Sequence, residues 1–87
     1  MQIQQQFVLR QILDEYVLVP VGETAESFHG MAGLNEVGAR IWELLPDAPD
    51  EESLVRTLLE EYDVEEPQLR ADVKEFLGKL REAHILA

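Results

Sequence analysis

The side chains able to do acid–base, metal or nucleophilic chemistry in this chain are few, and their spacing does not suit that work. There are two histidines, His29 and His84, and no cysteine. His29 falls in a polar loop and His84 near the C-terminus. Neither has a nucleophile, an orienting carboxylate and an oxyanion donor at a workable spacing, so both read as surface or packing residues. The acidic pairs Glu51-Glu52, Glu60-Glu61 and Glu65-Glu66 are adjacent in sequence. On a helix such neighbours diverge by about 100° and cannot share a proton. Without cysteine, disulfides and thiolate metal sites are excluded, and there is no Asp-x-Asp-x-Asp loop or His-x-x-x-His helix to replace them. The expectation is a protein with no enzymatic activity, no cofactor and no metal.

Ser53 is the remaining candidate. In an acidic chain, Glu52-Ser53-Leu54 at a helix start distantly resembles the attachment serine of an acyl carrier protein. The residue before the serine is not aspartate, however, and the N-terminal third reads as strands where a carrier has a helix. Ser53 is therefore expected to be an ordinary first-turn residue.

The charge pattern carries more. Eighteen acidic against seven basic residues give a net charge of −11 over 87 residues, yet four of the seven positives fall at Arg70, Lys74, Lys79 and Arg81. On one helix, Arg70, Lys74 and Arg81 come within about 40° of one another, with Leu77 beside them. As a DNA footprint this stripe is thin. Three cations must overcome the field of an acidic domain, and no base-reading Asn, Gln or Arg set accompanies them. It suits a carboxylate-bearing peptide better, although i,i+4 pairing such as Glu66 with Arg70 accounts for part of it.

Those residues must be positioned by one small domain spanning 1–87, with 46% apolar residues to build a modest core. Phe7–Leu13 reads as a strand, Asp14-Glu15 as a tight turn, and Tyr16–Val21 as a second strand ending near Pro20. Gly22–Gly30 is a polar loop with a short extended piece around Ser27 and Phe28. Met31, Ala32, Gly33 and Leu34 form a third, short strand without proline or charge, an edge able to accept another strand. Asn35 then caps a helix by accepting from the N–H of Gly38, with Leu34 stapled on Ala39. That helix carries Ile41, Trp42 and Leu45 on one face and stops at Pro46. Asp50 caps a second helix bearing Leu54, Leu58 and Tyr62. A third begins near Pro67 and presents Leu69, Val73, Phe76, Leu77, Leu80 and Ala83, with Ile85 and Leu86 closing the core. The order implies an α+β fold, a three-stranded antiparallel sheet followed by three helices. The N-terminus Met1–Gln6 has no basic residue ahead of an apolar run. The apolar stretch Tyr16–Val21 is too short to span a bilayer, so a cytoplasmic protein without membrane insertion is expected.

The run Leu34-Asn35-Glu36-Val37-Gly38-Ala39-Arg40-Ile41-Trp42-Glu43-Leu44-Leu45 is followed by an acidic helix and then by Ala71-Asp72-Val73-Lys74-Glu75-Phe76-Leu77-Gly78-Lys79-Leu80. Over residues 5 to 87 this pattern resembles the PqqD family, small winged-helix-like domains also called RiPP precursor recognition elements. The resemblance implies a peptide chaperone in natural-product biosynthesis. Such a domain adds the leader segment of a ribosomally made precursor peptide as a strand beside the third strand, against the third helix. It then presents the core segment to a modifying enzyme such as a radical S-adenosylmethionine maturase, or to a leader protease. Carried onto this chain, the peptide-binding residues are Met31, Ala32, Gly33 and Leu34 on the strand, facing Arg70, Val73, Lys74, Leu77 and Arg81 on the helix. Spacing leaves open which of Val73 and Leu77 lines the groove and which belongs to the core. The expected state is a monomer or weak homodimer that binds neither nucleic acid nor membrane. The competing reading is a winged helix-turn-helix DNA-binding or transcription-associated domain.

Overall fold

A computed structural model describes residues 1–28, 30 and 32–87. Met31, expected to open the third strand, and His29 lie outside the described residues. Strands β1 (Phe7–Ile12) and β2 (Glu15–Pro20) form an antiparallel hairpin in the register Phe7↔Pro20 through Ile12↔Glu15. The turn is therefore Leu13-Asp14, one residue earlier than the expected Asp14-Glu15, and Leu13 takes φ +57°, as the first central residue of a primed hairpin turn must. The physical reason is register. Leu9 stands opposite Leu18 on the core face, and a slip of one residue would turn one of them out to water.

The segment after β2 departs from the expected loop. Gly22, at φ +58°, turns the chain, and residues Thr24–Ser27 form a single helical turn, α1. Ser27 is helical, while Phe28 is extended, at φ −109° and ψ 126°. Strand β3 (Ala32–Leu34) then pairs antiparallel with β2 through Tyr16↔Leu34, Val17↔Gly33 and Leu18↔Ala32. The sheet order β1-β2-β3 leaves β3 at an edge.

Helix α2 (Glu36–Leu44) opens on Asn35, whose Oδ1 accepts from the N–H of Gly38 at 2.7 Å. Pro46 does not stop the chain abruptly. It sits in a 3-10 turn, Leu45–Asp47, that continues α2, because a proline at the start of a helical turn loses no hydrogen bond there. Helix α3 (Glu51–Glu61) is capped by Asp50, which accepts from the N–H of Ser53 at 2.8 Å. Helix α4 (Glu66–Glu82) takes Pro67 in its first turn.

The C-terminal end of α4 gives His84 a structural task. It adopts φ +59°, its N–H donates to the carbonyl of Arg81 at 3.0 Å, and the N–H of Ile85 donates to that of Leu80 at 2.9 Å. This is a Schellman cap with histidine where glycine is usual, and the accompanying apolar contact between the residues flanking it falls to Leu80 and Ile85. Leu18, Ile41, Leu45, Leu54, Leu58 and Leu77 are almost fully buried between sheet and helices, each contributing about 1.5–3 kcal/mol by leaving water. Ile85 and Leu86 close that core as expected. The N-terminal segment seals it: Ile3 bridges Leu86, the N–H of Gln4 donates to the carbonyl of Ile85 at 2.7 Å, and the Met1 ammonium donates to the carbonyls of Leu45 and Ala48.

Candidate functional site

The free edge of β3 has a definite polarity. The N–H of Val21 donates to the carbonyl of Gln6 at 3.0 Å, which makes Gln6 and Val21 a hydrogen-bonded pair. Alternation along an antiparallel ladder then turns the backbone groups of Val19, Val17 and Glu15 toward β1 and those of Leu18 and Tyr16 toward β3. Ala32 and Leu34, their partners, are consequently satisfied by β2. Gly33 is left with its N–H and C=O directed at the open edge. A methyl group added to Gly33 would meet nothing within 4 Å, so the sheet face is open at this residue.

Beside that edge lies a largely apolar cavity of about 490 Å³, between β3 and α4. Its walls include Phe7, Phe28, Leu34, Phe76 and Leu80, with Lys79 as the cation on its border. The aromatic wall is built from distant segments: the Phe7 ring packs edge-on against Phe28 at 5.4 Å and against Trp42 at 6.2 Å between centroids. A second cavity of about 250 Å³ shares Asn35, Gly38, Phe76 and Lys79 with the first and continues toward Asp72 and Glu75. Together they form a trough running from the strand edge along one flank of α4. Lys79 pairs with Glu75 at 3.3 Å, and both side chains are mostly exposed.

The helix residues singled out by spacing lie elsewhere. Val73 and Leu77 have no exposed surface and belong wholly to the core. Arg70, Lys74 and Arg81 sit about 140–180° around α4 from Lys79, on the flank away from the trough. Arg70 is held there by Glu52, at 2.6 and 2.8 Å, and by Glu66 at 2.9 Å. Its guanidinium, by hydrogen bonding, holds the Glu52 carboxyl below the usual range and is itself raised by the same bonds. Arg40 and Glu61 form a second bidentate pair at 2.7 Å, lowering Glu61 in the same way. Arg81 donates to the carbonyl of Ala87 at 3.4 Å. Of the strand residues, Ala32, Gly33 and Leu34 border the cavity, and Met31 lies outside the described residues.

Sequence reasoning placed Phe76 and Leu80 in the core stripe and passed over Phe7, Phe28 and Lys79 as groove residues. Phe28 carried a signal, a lone aromatic in an otherwise polar loop. Phe7 carried none, because its neighbours in the trough are remote in sequence, and Lys79 was marked only as one of four clustered cations. Ser53 is occupied as a first-turn residue, its hydroxyl donating to the carbonyl of Asp50 at 2.8 Å. Among the described residues, no group of three or more His, Cys, Asp or Glu side chains could hold a metal ion. Among the same residues, no helix is long and apolar enough to cross a membrane.

The family model for coenzyme PQQ synthesis protein D (PqqD) matches residues 15–86. The chain belongs to the PqqD family. It is a PqqD-like RiPP recognition element. The chain is also similar to a solved structure described as TbiB1 in complex with the TbiA(beta) leader peptide, with 32% identity and a TM-score of 0.72 over 99% of this PqqD-family chain and 94% of the other. The α+β order of a three-stranded antiparallel sheet followed by helices agrees with that neighbour. No curated protein matches the sequence.

Proposed function

We propose that this chain binds the leader segment of a ribosomally synthesised precursor peptide by strand addition at β3 and presents it to a modifying enzyme. The observation that carries the reading is the outward N–H and C=O of Gly33 standing beside an apolar trough. An extended peptide laid there exchanges hydrogen bonds with Gly33, and every second side chain enters the cavity walled by Phe7, Phe28 and Phe76. TbiB1, solved with a leader peptide, supports the same class of ligand. Lys79 on the trough's border gives a carboxylate of the peptide a partner. Ala32, Gly33 and Leu34 supply the strand. The partner enzyme in this reading is a radical S-adenosylmethionine maturase or a leader protease, and the chain itself performs no chemistry.

The test is titration of the purified chain with the leader segment of a precursor encoded beside its gene, with the TbiA(beta) leader as a second probe. Duplex DNA at two salt concentrations forms the opposing arm. Saturable peptide binding is expected. Tight duplex binding that weakens steeply with salt, with no peptide signal, would return the domain to the winged-helix DNA-binding class.

A further inference from the structure

We infer that Thr24 is a positioning residue for the trough, setting its affinity for an extended peptide without touching it; this rests on the strand-addition reading above. Thr24 is a buried polar side chain, 4% exposed. Its Oγ1 accepts from the N–H of Gln6 at 2.7 Å and donates to Oε1 of Gln5 at 3.2 Å. In a continuing β1–β2 ladder, the N–H of Gln6 would go to the carbonyl of Val21, since Val21 already donates to Gln6. The threonine hydroxyl takes that donor instead, which ends the ladder and releases the chain to turn at Gly22. Gly22 turns at φ +58°, a conformation that favours glycine.

The same residue also governs the path of the chain from α1 toward β3. The carbonyl of Thr24 accepts from the N–H of Phe28 at 2.9 Å. Through its side chain Thr24 is thus tied to the residue before Phe7, and through its backbone to Phe28. Those two rings meet edge-on at 5.4 Å and both wall the cavity. A valine of the same shape would satisfy packing alone, but it would take the acceptor from the part-buried Gln6 N–H bond. The hydroxyl is therefore what locks the Phe7–Phe28 wall and fixes where the chain sets out toward β3.

The experiment compares Thr24→Val, Thr24→Ser and Gln5→Ala with the wild type in the full chain, and uses Asp50→Ala as a control that weakens the remote α3 cap. Affinity is measured for the neighbouring-gene leader and the TbiA(beta) leader, and the Phe7–Phe28 ring contact is read by NMR in the free protein. Thr24→Val should weaken peptide binding about tenfold and lose the ring contact, the scale of one hydrogen bond, while Thr24→Ser stays within about twofold. Gln5→Ala should fall between them, and it carries the test if Thr24→Val does not fold. Wild-type affinity in Thr24→Val, equal weakening in Thr24→Ser, or equal weakening in Asp50→Ala would overturn the inference. If the wild type binds neither peptide, strand addition fails as a reading, and the ring contact still decides Thr24: its persistence in Thr24→Val removes the positioning role.

Discussion

Gly38 and Phe76 meet across the joint between α2 and α4: a methyl on Gly38 would stand 3.3 Å from Cε1 of the Phe76 ring and 3.2 Å from the capping oxygen of Asn35. Glycine inside a helix costs about 1 kcal/mol relative to alanine, so the position is held for closeness. Gly38→Ala is expected to leave folding stability within about 1 kcal/mol of wild type in urea titrations, propensity gain offsetting crowding. The displaced ring should narrow the trough and raise the leader-peptide Kd severalfold. Unchanged affinity would mean that Phe76 has room to move aside.

The register at the edge is open to a paired test. Gly33→Pro removes the outward N–H, which β2 does not use, and should weaken peptide binding about three- to tenfold while the fold persists. Gly33→Ala keeps the donor and places its methyl in open space, so its affinity should match wild type. Isothermal titration of both variants, with circular dichroism to monitor folding, reads the contrast. Equal affinities for the two would shift the bonded residue away from Gly33.

The cations of α4 divide by flank. Lys79→Glu is expected to slow association with a carboxylate-bearing leader, measured by stopped-flow at low salt, because rim charges act mainly on encounter. Arg70→Glu would place a third carboxylate beside Glu52 and Glu66, lowering Tm while leaving affinity alone. Reversal of Lys74 and Arg81 should change the Kd by less than about twofold. A larger loss would restore that flank of α4 to the peptide-binding surface.

Acid should act through the two bidentate pairs. Glu52 and Glu61 are both lowered in the folded protein, chiefly by hydrogen bonds from Arg70 and Arg40. A carboxyl whose folded pKa is depressed contributes its stability in full above the unfolded value of about 4.3, and loses it as pH falls through the lower folded value. Thermal melts should therefore show no contribution from these pairs to any change between about pH 6 and 8, and a decline beginning below about pH 4.5. Replacing Arg40 and Arg70 together by methionine should flatten that acid limb, and added salt should blunt it in the wild type because both pairs are exposed.

Local chemistry made much of the fold legible. Asn35 and Asp50 announce helix starts because a side-chain oxygen three residues before a free N–H can do little else as well, and both caps form. The β-branched, apolar content of β1 and β2 and the 3.6-residue stripe through Leu69, Val73, Leu77 and Leu80 are likewise local properties. The helical turn at Thr24–Ser27 was not legible, since it depends on a hydrogen bond to Gln6, eighteen residues earlier.

The candidate site divides along the same line. Composition and order alone made this an acidic α+β chain with a short, uncharged strand before a well-capped helix, because those properties reside in neighbouring residues. Spacing could show that Arg70, Lys74 and Arg81 share a line on α4, but every helix has two flanks beside its buried face. Only the packing of α4 against α2 and α3 decided that Lys79 and Phe76 border the trough while Arg70 closes on Glu52. A helix carries its own periodicity, and the direction that periodicity faces is set by what the rest of the chain lays against it.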